Sequence, residues 1–202
     1  MYLWLMDHAQ IKHISNRYYR KLKKTSNDMT DFDADKIHGF RVEYKKLRAF
    51  LRMMASVENG YREINISKNL KKAYHISGSI RDLELQVQRI LEISKNDSRK
   101  ATDYIEVLRN EEQKLGPELF TLLDEKPISE SKKKTDSILP DHFGVEDFLN
   151  FVDIKWLSIK TVIISENFSD DNIHSIRKNL KDIVYNAHIY SASIGNNNLQ
   201  QI

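Results

Sequence analysis

The pattern His-x2-Arg-x3-Lys occurs twice in this chain, as His38, Arg41 and Lys45 and again as His174, Arg177 and Lys181. An α-helix turns about 100° per residue, so offsets of three and seven gather these side chains into one stripe. The pattern therefore calls for a helix at both places, each with one cationic face. Its recurrence in a single chain points to two related halves.

In the first copy His38, Arg41, Lys45, Arg48 and Arg52 fall within about 80° of one face. Phe40, Tyr44, Leu47, Leu51 and Met54 form a second, apolar stripe that reads as the core side. In the second copy the cationic stripe also carries Tyr185, and Ile176, Leu180, Ile183 and Ala187 form the expected core stripe. Like charges three or four apart cost a few tenths of a kcal/mol per pair on an isolated helix. A solvated charged face is the plain alternative, but solvation alone would accept Glu, Gln or Ser among the cations. A polyanionic ligand accounts better for a stripe held only by cationic or protonatable groups.

Composition sets the class and little more. The 202 residues suffice for one large or two small domains. Six Gly and three Pro, beside 40% hydrophobic and 30% charged residues, leave few turns and fit a helix-rich chain. The net charge is only +3, so affinity for an anion must come from clustering. Such clustering recurs from Lys12 to Lys24, where Arg17 and Lys21 stand among further bases with no acid between. There is no cysteine, hence no disulfide and no thiolate chemistry. The start of the chain lacks a signal-peptide pattern and no stretch approaches membrane-spanning length, so a cytoplasmic protein is expected.

Six helices and no strand are expected, over about 2–24, from the acidic connector Asp28–Asp35 to Val57, 67–93, 98–124, 145–165, and onward from Asp170-Asp171-Asn172. Asn59-Gly60 is a stop signal, and Pro117 should kink or divide the fourth helix. Gly78, inside the third, suggests a close helix crossing. The stretch from Glu125 to Pro140, with two of the three prolines and Lys132-Lys133-Lys134, reads as a linker. The division is then 1–125, a linker over 126–143, and 144–202.

Between the two histidine helices lies Ser77-Gly78-Ser79-Ile80-Arg81-Asp82-Leu83-Glu84-Leu85. With that segment the three motifs, in this order, resemble the conserved histidine α-helical, or CHAD, domain. The family pattern in the segment is Leu-Gly-x2-Arg-Asp-Leu-Asp-Val, so Ser77 and Glu84 depart from it. The resemblance implies an all-α protein of two pseudo-symmetric antiparallel helical bundles with a basic groove between them. It implies binding of inorganic polyphosphate without catalysis. The contacts it implies are His38, Arg41, Lys45, Arg48 and Arg52 from the first motif and His174, Arg177 and Lys181 from the second. Arg81 is added to these, as are Arg17 and Lys21 of the first helix. Where the family continues its second motif with Leu-Arg-Tyr, this chain has Ile183-Val184-Tyr185. The family also runs on into a further helix where this sequence stops, so the second bundle reads as truncated. An exposed apolar face covered by homo-oligomerisation is the expectation there.

Other readings of the same residues stay open. The histidines could organise the fold rather than touch phosphate, and Arg81-Asp82 could be an internal ion pair. A histidine phosphotransfer bundle and a nucleic-acid-binding surface are the functional alternatives, separable by phosphohistidine formation and by competition. His8 and His13 stand five apart, poor spacing for one helical face, so no metal or other cofactor is expected. Granule targeting, scaffolding and sequestration would all use the same groove.

Overall fold

In a computed structural model the described residues are 5–29, 33–57, 66–94 and 99–199, without the side chains of 99–100 and 191–199. Among them are seven helices and one pair of three-residue strands. In chain order they are β1 (Leu5–Asp7), α1 (His8–Asp28), α2 (Ala34–Met54), α3 (Lys68–Ile93), α4 (Arg99–Asp124), α5 (Pro127–Asp136), β2 (His142–Gly144), α6 (Val145–Ile164) and α7 (Asp170–Leu199). The protein is all-α apart from that ribbon. Its residues cluster into two compact units, one of Met1–Arg17, Lys46–Ile64 and Thr135–Ile202, the other of Tyr18–Lys45 and Asn65–Lys134. The unit boundaries fall inside α1, α2 and the last turn of α5, so each of these helices contributes to both.

In the first unit, β1 pairs antiparallel with β2, placing Met6 opposite Phe143. Both side chains are buried. Three residues alternating in and out are too few to register as a strand pattern beside a long helical signal, which is why sequence periodicity extends the first helix through Leu5–Asp7. The unit continues with α6 against α7. Glu166, with φ of 52°, makes the left-handed turn between them.

In the second unit α3 packs along α4. The Ser67 hydroxyl caps α3 by accepting from Leu70 N at 3.2 Å, and donates to the carbonyl of Pro127 at 3.1 Å. Ser131 Oγ accepts from Ser67 N and donates to Ser67 Oγ, closing a buried serine knot between the start of α3 and α5. The stretch read as a connector is thus largely helical. Pro127 occupies the first helical position, where its missing N–H costs nothing, and Ile128, Ser131 and Thr135 are buried on one face. The lysine run lies on the same helix, with Lys134 paired to Glu130 one turn earlier.

Other boundaries move less. Asp33 Oδ1 accepts from the backbone N–H groups of Asp35 and Lys36 and starts α2, which ends at Met54 rather than Val57. Pro117 lies inside an undivided α4. Asn59-Gly60 lies outside the described residues.

Candidate functional site

The first histidine helix behaves as its two stripes require. Phe40, Tyr44, Leu47, Leu51 and Met54 are all buried, and Ala49, Phe50 and Met53 join them toward the C-terminal end. What remains accessible is the cationic stripe: His38 exposed, and Arg41, Lys45, Arg48 and Arg52 partly so.

Arg41 lies in the second unit and is engaged with α3. Its Nη1 donates to the carbonyl of Tyr74 at 2.8 Å and to Ser77 Oγ at 3.4 Å, and its guanidinium carbon stands 4.6 Å from the Tyr74 ring centroid. Tyr74 in turn stacks on the buried Tyr44 at 4.2 Å. Gly78 is what lets the guanidinium in. A Cβ at that position would stand 2.6 Å from Arg41 Nη1 and 3.1 Å from its Cζ. The close approach is therefore of a side chain, where the sequence suggested a helix crossing. Arg81, on the same helix, bonds to Glu84 at 2.9 Å, so its internal partner is Glu84 rather than Asp82.

In the first unit the second histidine helix differs from the expected orientation. Leu180 is 43% exposed, and Ile176, Ile183 and Ala187 are only half-buried. The face turned inward carries Asn179, Asp182, Asn186 and Ile189. Polar side chains can take core positions when most of their hydrogen bonds are met inside the protein, although Asn186 Oδ1 finds no partner among the described residues. Asn179 Nδ2 donates to Ser158 Oγ, and Asn186 Nδ2 donates to the carbonyls of Ala49 and Asp182. The Asp182 carboxylate, whose side chain is 2% exposed, receives both Nε and Nη2 of Arg52 and lies 3.3 Å from Lys155 Nζ.

In this rotation Lys178, exposed at its surface, comes within electrostatic reach of the basic cluster. Burial pushes its ammonium below the ordinary lysine range; Arg52, Arg48 and Lys155 push the same way, and Asp182 opposes them. Lys178 thus feels three other cations and one carboxylate. His174 and Arg177 are exposed on α7, Lys181 is partly buried beside them, and Arg17 and Lys21 are exposed on α1. Lys155, Lys178 and Asp182 escaped the sequence reading. Asn179, Asp182 and Asn186 at helical spacing read as an ordinary solvent-facing polar stripe, so no local signal set them apart.

The sequence model of the CHAD domain matches residues 14–201, nearly the whole chain. The chain belongs to the CHAD domain family. No curated protein and no solved structure matches it. CHAD domains are generally non-catalytic binding domains. Among the described residues of this CHAD domain no group of three or more His, Asp or Glu could hold a metal ion. Nor, among them, is any helix long and apolar enough to cross a membrane.

Proposed function

We propose that this CHAD domain binds inorganic polyphosphate, as is known for the family, by electrostatic contact and without making or breaking a bond. The observation that carries the reading is the excess of cations around Asp182. Arg52 and Lys155 are held by one buried acid, and partial burial together with repulsion from Arg52, Arg48 and Lys155 depresses Lys178. An arriving phosphate chain relieves that repulsion. Arginine offers forked, charge-assisted hydrogen bonds to phosphate, while lysine offers a point charge. His174, Arg177 and Lys181 extend this basic surface along α7. The second unit offers His38, Lys45 and Lys21, with Arg41 and Arg81 engaged by protein groups and available to phosphate only through their remaining donors.

Titration with long-chain polyphosphate at two salt concentrations tests this. Affinity should fall steeply as salt rises, because each neutralised phosphate releases a counterion. Lys155→Ala/Lys178→Ala should weaken binding and flatten the salt dependence. RNA of equal charge should compete poorly. Salt-independent binding, or a double variant that binds like the wild type, would overturn the reading.

A further inference from the structure

Helix α6 turns an apolar face outward. Leu149, Trp156, Leu157, Ile163 and Ile164 are 52%, 45%, 66%, 50% and 81% exposed. Their positions, with Asp153 and Lys160, fall within about 120° of one face. The exposed apolar area is on the order of 600 Å², at the upper end for a monomer's largest patch. With the polar residues around it, the face approaches the roughly 800 Å² per partner that a stable interface buries. Asp153 and Lys160 lie along its midline. Among the described residues the Asp153 carboxylate has no hydrogen bond or ion pair. Lys160 Nζ stands 5.9 Å from the Trp156 ring centroid and makes no ion pair among those residues.

The order of these residues along the helix selects the occupant. Asp153 and Lys160 are equidistant from the point between Trp156 and Leu157. If α6 meets a second α6 running the opposite way about a two-fold axis through that point, Asp153 lies opposite Lys160 of the partner subunit, and the pair forms twice. Trp156 then lies opposite Leu157 of the partner subunit, and Leu149 opposite Ile164 of the partner subunit. A parallel arrangement would instead set like charge against like. We propose that this face of α6 is the interface of an antiparallel, two-fold homodimer centred between Trp156 and Leu157. A surface depression lined by Asn150, Asp153, Ile154, Trp156, Leu157 and Lys160 lies at that centre, where the partner's side chains would seat.

The test is sedimentation velocity of the full chain over a concentration series, with Trp156 emission followed in parallel in a Trp4→Phe background. A concentration-dependent dimer with blue-shifted emission is expected. Asp153→Lys should raise the dimer dissociation constant by about tenfold or more, since two attractive pairs become repulsive. Lys160→Asp should do the same, and the double reversal Asp153→Lys/Lys160→Asp should restore association. Far-UV circular dichroism checks that each variant stays helical, as expected for exposed positions. A chain that remains monomeric throughout, leaving the face to some other partner, would overturn the proposal. So would a dimer insensitive to both single reversals, or a double reversal no better than either one.

Discussion

Replacing Asp182 with Asn removes one charge and almost no volume from the first unit. The carboxylate is 2% exposed, its forked partner Arg52 is 24% exposed, and Lys155 is 17% exposed. Breaking a buried ion pair by deleting one member costs about 3–5 kcal/mol, because the other charge stays in a poorly solvated place. Here two cations lose their counter-charge, Lys178 loses the one acid that opposes its neighbours, and the amide turns a donor toward Arg52. Partial exposure of the cations lets water recover some of that loss, so the lower end, about 3 kcal/mol, is the expected cost. For a chain of this length it corresponds to a fall of roughly 6–12 °C in melting temperature. Urea denaturation at neutral pH, compared at constant slope, measures it. The loss should be partly recovered by added polyphosphate, since a ligand that binds the folded state stabilises it and the variant's cations are less neutralised. A change below about 1 kcal/mol would refute the account of Asp182 as the organiser of the cluster.

Three further outcomes follow from the geometry. Gly78→Ala should destabilise by about 1 kcal/mol or more, the displacement of Arg41 outweighing the roughly 1 kcal/mol gained in helix propensity; a stabilised variant in thermal melts would show that Arg41 moves freely. Lys178 has a depressed pKa in the folded state and an ordinary one unfolded, so from its folded pKa up to the ordinary lysine range the unfolded chain binds more protons. Stability should therefore climb with pH through that window, and Lys178→Met should be more stable than wild type at neutral pH and lack the climb in denaturation series. Glu112 is shifted the other way, raised by burial and by Glu84 against the pull of Arg109. Its charge costs stability above the raised pKa, so Glu112→Gln should raise the melting midpoint at neutral pH and lose that advantage in acid.

The second helix was legible from sequence because its apolar and cationic residues separate cleanly, and the five expected core residues of α2 are buried. The helices over 68–93 and 99–124 were equally plain. Hydrophobic periodicity gives the wrong rotation for α7. Its core contacts are instead polar groups whose partners, Ala49, Arg52, Lys155 and Ser158, lie distant in sequence, so their satisfaction is invisible to local pattern. The same holds for α5, whose buried face is anchored by Ser131 to Ser67 across 64 positions of chain. In the candidate site, Arg52 and Lys181 could be named from the repeated motif. Lys155 could not, because it belongs to the apolar helix α6 and only packing brings it to Asp182.

The passage of α1, α2 and α5 through both compact units has a practical consequence for dissecting this protein. Neither unit is a continuous piece of the gene, so no single truncation point delivers one of them whole. A deletion series would break both at once and would report loss of folding wherever it stopped. Separating the contributions of the two units has to be done with point substitutions in the intact chain, or with permuted chains that leave the three shared helices uncut.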